Sequence, residues 1–477
     1  MSPAGTSLLF RPIEELARDL KEKRLSPVAL AELSLERLET HGRKLNAVVT
    51  LVGQSALEAA RASEKEISAG RYRGPLHGIP YGAKDLLATR GMPTTWGAEP
   101  YREQKFDFDA TVVRKLAEAG AILIAKLAMV ELAGGMGYNN ADASFTGPGL
   151  NPWNTGFWSG GSSSGPGSAV AAGLVCFAIG SETVGSIVTP SAFSGVTGLR
   201  PTYGRVSRHG AMALCWTLDK LGPMARTARD CSLVLAAIEG TDPADPTSVL
   251  APPPNAVKRR PPLRVGVLKD STKFVHEEVS KNFEESIRVL ASFADVTGDV
   301  TLPDFPYGLC TGPIVEAEGA SAFLELIESG GLKQLRAKAD RVGGYANILL
   351  PAVDYLQALR LREKMRAPIA ALYEKFDLLA TPTRATVAFP IGVDFDKAYP
   401  ELASGRPQNF VSPIGSAISM GNLLGYPAIS LPNGFGREGL PTGLQLLAPP
   451  FREDTLAAAG EEYQRRTDFH AKRPPGF

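Results

Sequence analysis

The sequence has little cysteine, little histidine and no surplus of charge, and each shortage closes off a class of function. Its four cysteines, Cys176, Cys215, Cys231 and Cys310, stand far apart and form no C-x-x-C, which argues against a disulfide framework or a cysteine zinc site. The five histidines are scattered without an H-x-x-x-H, so no metal site is expected. With 51 basic residues against 50 acidic ones, no single-sign field draws nucleic acid or an anionic membrane. No stretch approaches the roughly 20 apolar residues of a membrane span. Met1 to Phe10 lacks the basic start and apolar core of a secretion signal. The expectation is a cytoplasmic protein with reduced, buried thiols and no cofactor.

What is abundant is glycine and proline, 49 and 37 in 477 residues, a composition that implies tight turns and close approaches of main chain. Residues 1–70 read as helical. Ser26 caps a helix with Pro27 at its first position, Leu30, Leu33 and Leu38 recur at helical spacing, and residues 54–69 form a second helix. Further on, helix and strand alternate. Residues 111–119 are helical, Gly120 suits a left-handed cap, and Ala-Ile-Leu-Ile-Ala follows as a buried strand. This grammar predicts an α/β fold, a mixed and largely parallel twisted sheet covered by helices on both faces. The small residues of 164–173 predict a closely packed helix, with a strand over 174–179. Residues 241–262 read as a Pro-rich surface connection, 263–268 as a strand, and 316–376 as mainly helical, within a substrate-side region taken as 305–376. Residues 409–447 read as short strands. No internal repeat divides the chain, so 1–477 is taken as one domain with a core at 75–225.

The densest anomaly is Ser159-Gly-Gly-Ser-Ser-Ser-Gly-Pro-Gly-Ser168, followed by Gly180-Ser-Glu-Thr-Val-Gly-Ser-Ile187. One small-residue helix and one apolar strand separate these loops, so both return to the same end of that pair. Hydroxyls and unpaired backbone N–H groups gathered in one place suit a serine nucleophile with main-chain stabilisation of the oxyanion. The plain alternative is a pair of structural turns. A linker is disfavoured, because apolar patterns begin immediately on either side. Residues 161–165 also fit G-x-S-x-G with Ser163 as nucleophile, but that elbow needs a strand before it and an acid and a histidine after it. Residues 151–158 read as loop, and His209 is the sole histidine nearby. No S-x-x-K occurs, which removes the β-lactamase type of site.

Residues 161–186 resemble the amidase signature, a Gly-Gly-Ser-Ser loop and a small-residue helix ending in Gly-Ser-Asp-Thr-Gly-Gly-Ser-Ile. Leu76-His-Gly-Ile-Pro-Tyr-Gly-Ala-Lys84-Asp85, Asn151-Pro-Trp-Asn154, Gly195-Val-Thr-Gly-Leu-Arg-Pro-Thr-Tyr-Gly204, and Gly421-Asn-Leu-Leu-Gly-Tyr-Pro427 with Gly439-Leu-Pro-Thr-Gly-Leu-Gln445 are similar to other blocks of that family, in the same order. The resemblance implies a hydrolase of a carboxylic amide, an aryl amide, a carbamate (urethane) or an ester. Ser186 would be its nucleophile, Ser162 its bridging serine after a cis peptide bond, and Lys84 its base. It implies an oxyanion hole of the N–H groups of Thr183, Val184, Gly185 and Ser186, with Ser181 hydrogen-bonded within the triad. Val184 replaces a family glycine and must keep a negative φ. Glu182 stands where Asp is more frequent and is read as structural. For Lys84 to act near neutrality its pKa must fall from about 10.4 by roughly 3 units, which burial can do. Asp85, its neighbour on an extended segment, is expected to face away.

On the substrate side, Glu131-Leu-Ala-Gly-Gly-Met-Gly-Tyr138 resembles a family loop. Gly134 and Gly135 would present backbone to the acyl group, and Met136 and Tyr138 would be either pocket walls or packing. Trp216, residues 212–215 and Phe389 are further candidate walls. Val188 stands where many members carry Arg, which favours a neutral, apolar small-molecule amide or carbamate. The alternatives are a glutamine-hydrolysing subunit of a tRNA amidotransferase, working with a partner chain, and a non-catalytic binding protein. Monomer and homodimer both remain open.

Overall fold

Three helices open the chain, Ile13–Lys21, Pro27–Arg37 and Gln54–Ser68, in a computed structural model that describes residues 7–252 and 262–477. Ser26 caps the second of them: its side chain accepts the N–H groups of Val28 and Ala29, and Pro27 takes the first position, where no N–H is needed. Helix Thr111–Glu118 ends before Gly120, whose φ of 83° completes the predicted left-handed cap.

The strands are β1 (Val48–Leu51), β2 (Pro80–Lys84), β3 (Ile122–Leu127), β4 (Leu150–Asn151), β5 (Asn154–Trp158), β6 (Phe177–Glu182), β7 (Thr197–Arg200), β8 (Lys220–Ala225), β9 (Leu263–Leu268), β10 (Ala294–Val300), β11 (Leu378–Pro382), β12 (Ala428–Phe435) and β13 (Pro441–Leu447). β4 and β5 form a small ribbon; the other strands make one mixed sheet in the order β1-β3-β2-β6-β8-β7-β12-β13-β11-β9-β10. Pairing is parallel in two wings, β3-β2-β6 and β11-β9-β10, where helices carry the chain between strands, and antiparallel between them. Every residue of β2, β6, β8, β11 and β13 is buried, as expected of strands covered on both faces. Tyr81 of β2 stacks on Phe177 of β6, ring centroids 5.1 Å apart, and locks the two strands that carry the site.

Residues 409–447 depart from the expected run of short strands. Helix Pro413–Leu424 precedes β12, with Ser412 accepting the N–H of Gly415, Pro413 at the first position and Gly425 at φ 71° closing its end. These are ordinary cap signals, masked in the sequence by Gly415 and Gly421. The Pro-rich connection is also more ordered at its start than a surface link. Asp242 accepts the hydroxyls of Thr111 and Ser207, and Asp245 accepts the Arg208 N–H; its residues 253–261 lie outside the described residues. Helices Tyr307–Ala322, Leu324–Glu328, Asp340–Asn347 and Ala352–Lys375 make up the predicted helical region. No described helix is long and apolar enough to cross a membrane.

Candidate active site

Strand β2 delivers Lys84 and the parallel strand β6 delivers Ser181, one row apart, because Ala83 sits opposite Ile179. The Lys84 Nζ donates to Ser162 Oγ and Ser181 Oγ, each at 2.8 Å. All three side chains are buried. Burial holds the amine down to about 7, against Asp219 and Glu182, which pull it upward. Asp85 faces away, as strand alternation requires: it accepts the Thr95 N–H and hydroxyl and pairs with Lys126 at 3.0 Å.

The bridging loop turns through Gly160, φ 88°, and the Gly161–Ser162 peptide bond is cis. A Cβ on Gly160 would lie 2.7 Å from Pro190 Cα, so glycine lets this loop lie against helix Val188–Ser194. The two Gly/Ser loops are laced together by Ser163: its N–H donates to Ser186 O at 3.3 Å and its hydroxyl to Ser181 O at 3.2 Å. Ser163 is thereby buried and bound to main chain, which removes the G-x-S-x-G reading. Ser186 is only half-buried. Its hydroxyl has no hydrogen bond to any described residue, so the chain from Lys84 is closed as far as Ser162 and open at Ser186.

In the turn after β6, Gly185 supplies φ 93° while Val184 keeps a negative φ. Among the described residues, no protein acceptor stands on the N–H groups of Val184, Gly185 or Ser186. Glu182 braces this turn from beneath. Its carboxylate accepts the N–H groups of Ile187 and Val188 at 2.8 and 3.0 Å, pairs with Arg200 at 2.7 Å and accepts Asn422 Nδ2 at 3.0 Å. Burial alone would raise its pKa, but Arg200 and Lys220 bring it down to about 2.

Ser181 and Thr183 open onto a cavity of about 190 Å³ walled by Leu86, Met212, Leu214, Trp216 and Leu221, with Asp219, Arg208 and Asp245 at its polar side. Trp216 is 42% exposed at its edge. Of the expected substrate-side loop, Ala133 lines the cavity; Gly134, Gly135, Met136 and Tyr138 do not. Gly135 lies against Leu214, behind the wall. Met136 is buried with its sulfur against Gly344. Tyr138 shields Gly134 and joins Trp158, Phe389 and Phe395 in an aromatic cluster. Leu86, Arg208, Asp219 and Leu221 were not foreseen. For Asp219 one signal existed, an acid and a lysine at the head of an otherwise apolar strand. No group of three or more His, Cys, Asp or Glu able to hold a metal occurs among the described residues.

A family model described as Amidase matches residues 29–457. A glutamyl-tRNA(Gln) amidotransferase subunit of Moorella thermoacetica is 37% identical over 495 residues, covering 98% of this chain and 99% of that protein. The protein of the same name from Chloroflexus aggregans is 35% identical over 497 residues, with the same coverage. Among solved structures, the peptide amidase of Stenotrophomonas maltophilia superposes with a TM-score of 0.81 at 29% identity, covering 98% of each chain. The glutamyl-tRNA(Gln) amidotransferase subunit from Thermotoga maritima gives 0.75 at 26%, covering 97% of each.

Proposed function

We propose that this chain, which belongs to the amidase-signature family of hydrolases acting on carbon–nitrogen bonds in amides, cleaves a neutral, predominantly apolar amide or carbamate through an acyl-enzyme on Ser186. The observation that carries this reading is the buried Lys84 amine, brought down to about 7 and hydrogen-bonded to Ser162. A base must be unprotonated at the working pH, and an amine poised there meets that need.

In the first half-reaction Ser186 Oγ bonds to the carbonyl carbon while its proton passes to Ser162, whose own proton passes to Lys84. The oxyanion is received by the N–H groups of the turn from Thr183 to Ser186, which have few competing acceptors. The carbon–nitrogen bond then breaks, and the proton held at Lys84 returns through Ser162 to the leaving nitrogen. Water repeats the sequence on the acyl-enzyme: its oxygen bonds to the acyl carbon as its proton travels to Lys84, the bond from Ser186 Oγ to that carbon then breaks and releases the acid, and the proton returns through Ser162 to restore the Ser186 hydroxyl. Residues 75–225 supply these groups, and region 305–376 backs the cavity wall through Glu318, which accepts the Thr217 N–H and hydroxyl.

The cavity wall supports the apolar substrate. Arg208 is engaged with Trp216 O, Tyr203 and Thr247, and the Asp219 carboxylate already takes three donors. Both terminal nitrogens of Arg208 are thus taken, and its Nε faces Asp245 at 3.7 Å, so its charge is already matched within the wall. The second reading, hydrolysis of glutamine as one component of a tRNA amidotransferase with partner chains, is favoured by the full-length relatives, more strongly than they favour the stand-alone amidase. Either reading places the work in the cytoplasm. The purified chain, as monomer or homodimer, should hydrolyse a nitroanilide without a partner, and Ser186→Ala should abolish this. Glutamine hydrolysis with no anilide or carbamate turnover would favour the second reading instead.

A further inference from the structure

Asp219 stands immediately before β8. Because Lys220 pairs with Glu182 across β6 and β8, Asp219 arrives level with Thr183, the first residue of the turn that ends in Ser186. Its Oδ1 accepts the Thr183 hydroxyl at 2.6 Å, and its Oδ2 accepts the N–H groups of Leu214 and Cys215 at 2.9 Å each. The Asp219 N–H in turn donates to Cys215 O at 2.8 Å, which closes the 215–219 segment on itself. One carboxylate therefore fastens the nucleophile turn to the cavity wall, and it lines the cavity itself.

We infer that Asp219 is a positioning residue of the proposed amide hydrolysis, holding the Thr183 end of the oxyanion turn against the Leu214–Cys215 wall and supplying the negative field in which Lys84 works. The inference rests on the reading of Ser186 and Lys84 given above. The charged groups around the amine are few. Asp219 is the largest upward influence on Lys84 and Glu182 the next. Glu182 is neutralised by Arg200 in a closed ion pair. Lys220 lies beside Glu182 and Asp219, and Arg208 faces Asp219 from the cavity side. Asp85 is turned away and matched by Lys126. Burial pushes the Asp219 carboxyl up, and the Thr183 hydroxyl, the N–H groups of Cys215 and Leu214 and Arg208 oppose it, so Asp219 acts both through its hydrogen bond to Thr183 and through the charge that these donors hold on it.

The test takes the full chain with an anilide substrate and compares wild type, Asp219→Asn and Thr183→Val. Asp219→Asn removes the charge, so the acidic limb of kcat/KM against pH should move to lower pH by roughly one unit while kcat falls. Thr183→Val removes the bond and leaves the carboxylate to the Leu214 and Cys215 N–H groups and Arg208, so kcat should fall about tenfold with the limb moved less than in Asp219→Asn. An unmoved limb in Asp219→Asn, with only KM altered, overturns the inference and leaves Asp219 a wall residue. If Asp219→Asn does not fold, Thr183→Val decides: wild-type kcat there overturns the inference, and a lowered kcat restored by Thr183→Ser supports it. Fluorophosphonate labelling of wild-type Ser186 is run in parallel. Absence of labelling strikes the reading of the nucleophile itself, whereas labelling with an unmoved limb strikes only Asp219.

Discussion

Glu182 and Arg200 form an ion pair of 2.7 Å with both side chains fully buried, directly beneath the turn that carries Ser186. Two of the remaining acceptor positions of Glu182 are filled by the N–H groups of Ile187 and Val188, so the pair is anchored to the start of helix Val188–Ser194. Burying two charges is costly, and removing one partner leaves the other uncompensated. Glu182→Gln should therefore destabilise the fold by about 3 kcal/mol or more in urea denaturation and depress kcat as the turn loosens. A change under about 1 kcal/mol would show that the pair is not a structural support.

The pH dependence of the reaction follows from Lys84. Burial places its amine at about 7 in the fold, so kcat/KM should rise with pH through that value and level off above it, as the unprotonated base becomes available. A profile still rising through about pH 9 would mean that Lys84 is not the titrating base.

Stability should respond in the opposite sense to removal of this amine. The folded value lies below the unfolded value of about 10.4, so between about 7 and 10.4 the unfolded chain binds a proton that the folded chain does not. The resulting cost is complete below about pH 7 and disappears above about 10.4. Lys84→Met should be inactive yet more stable at about pH 7 by roughly 2–4 kcal/mol, less the partner lost by Ser162 and Ser181. The difference should shrink as pH rises towards about 10, measured by denaturant unfolding at a series of pH values.

Gly160 tests the contact between the Ser162 loop and helix Val188–Ser194, which follows directly on the Ser186 turn. Ala at this position needs φ near 88° and puts its Cβ 2.7 Å from Pro190 Cα. Gly160→Ala should shift the Ser162 loop away from the Ser186 turn and lower kcat/KM about 100-fold, since displacement of a reacting group by an ångström has that order of effect. Initial rates check this, with circular dichroism confirming the fold.

Trp216 tests the cavity. Because it is partly exposed at the edge of an apolar wall, Trp216→Ala should raise KM for bulky aryl amides about tenfold, leave kcat for a small amide nearly unchanged, and alter stability by no more than about 1 kcal/mol.

The meeting of the two Gly/Ser loops was legible in the sequence because the helix and strand between them are short and unambiguous, and the structure brings Lys84, Ser162 and Ser181 within hydrogen-bond distance as a result. The role of Asp85 was legible from strand alternation alone. Helix Pro413–Leu424 was not, since its glycines weaken the helical pattern and its packing under Arg200 restores what propensity lacks. The cavity wall was read only in part. Met212, Leu214, Trp216 and Leu221 follow one another closely in sequence, but Leu86 reaches the cavity from a distant part of the chain. Met136 looked like a pocket residue because it sits in a glycine-rich loop, yet that loop folds back on Gly343 and Gly344. Contacts of this kind depend on distant elements, for which local sequence carries no mark.

Ser186 as the nucleophile, activated by the Lys84 amine through Ser162, is tested most directly by reaction with a fluorophosphonate at mildly alkaline pH, followed by peptide mass spectrometry. A single adduct on Ser186 is expected in the wild type, none in Ser186→Ala, and strongly slowed labelling in both Lys84→Ala and Ser162→Ala. An adduct on Ser163 or another serine, or labelling of Ser186 at the wild-type rate without Lys84, would contradict this assignment.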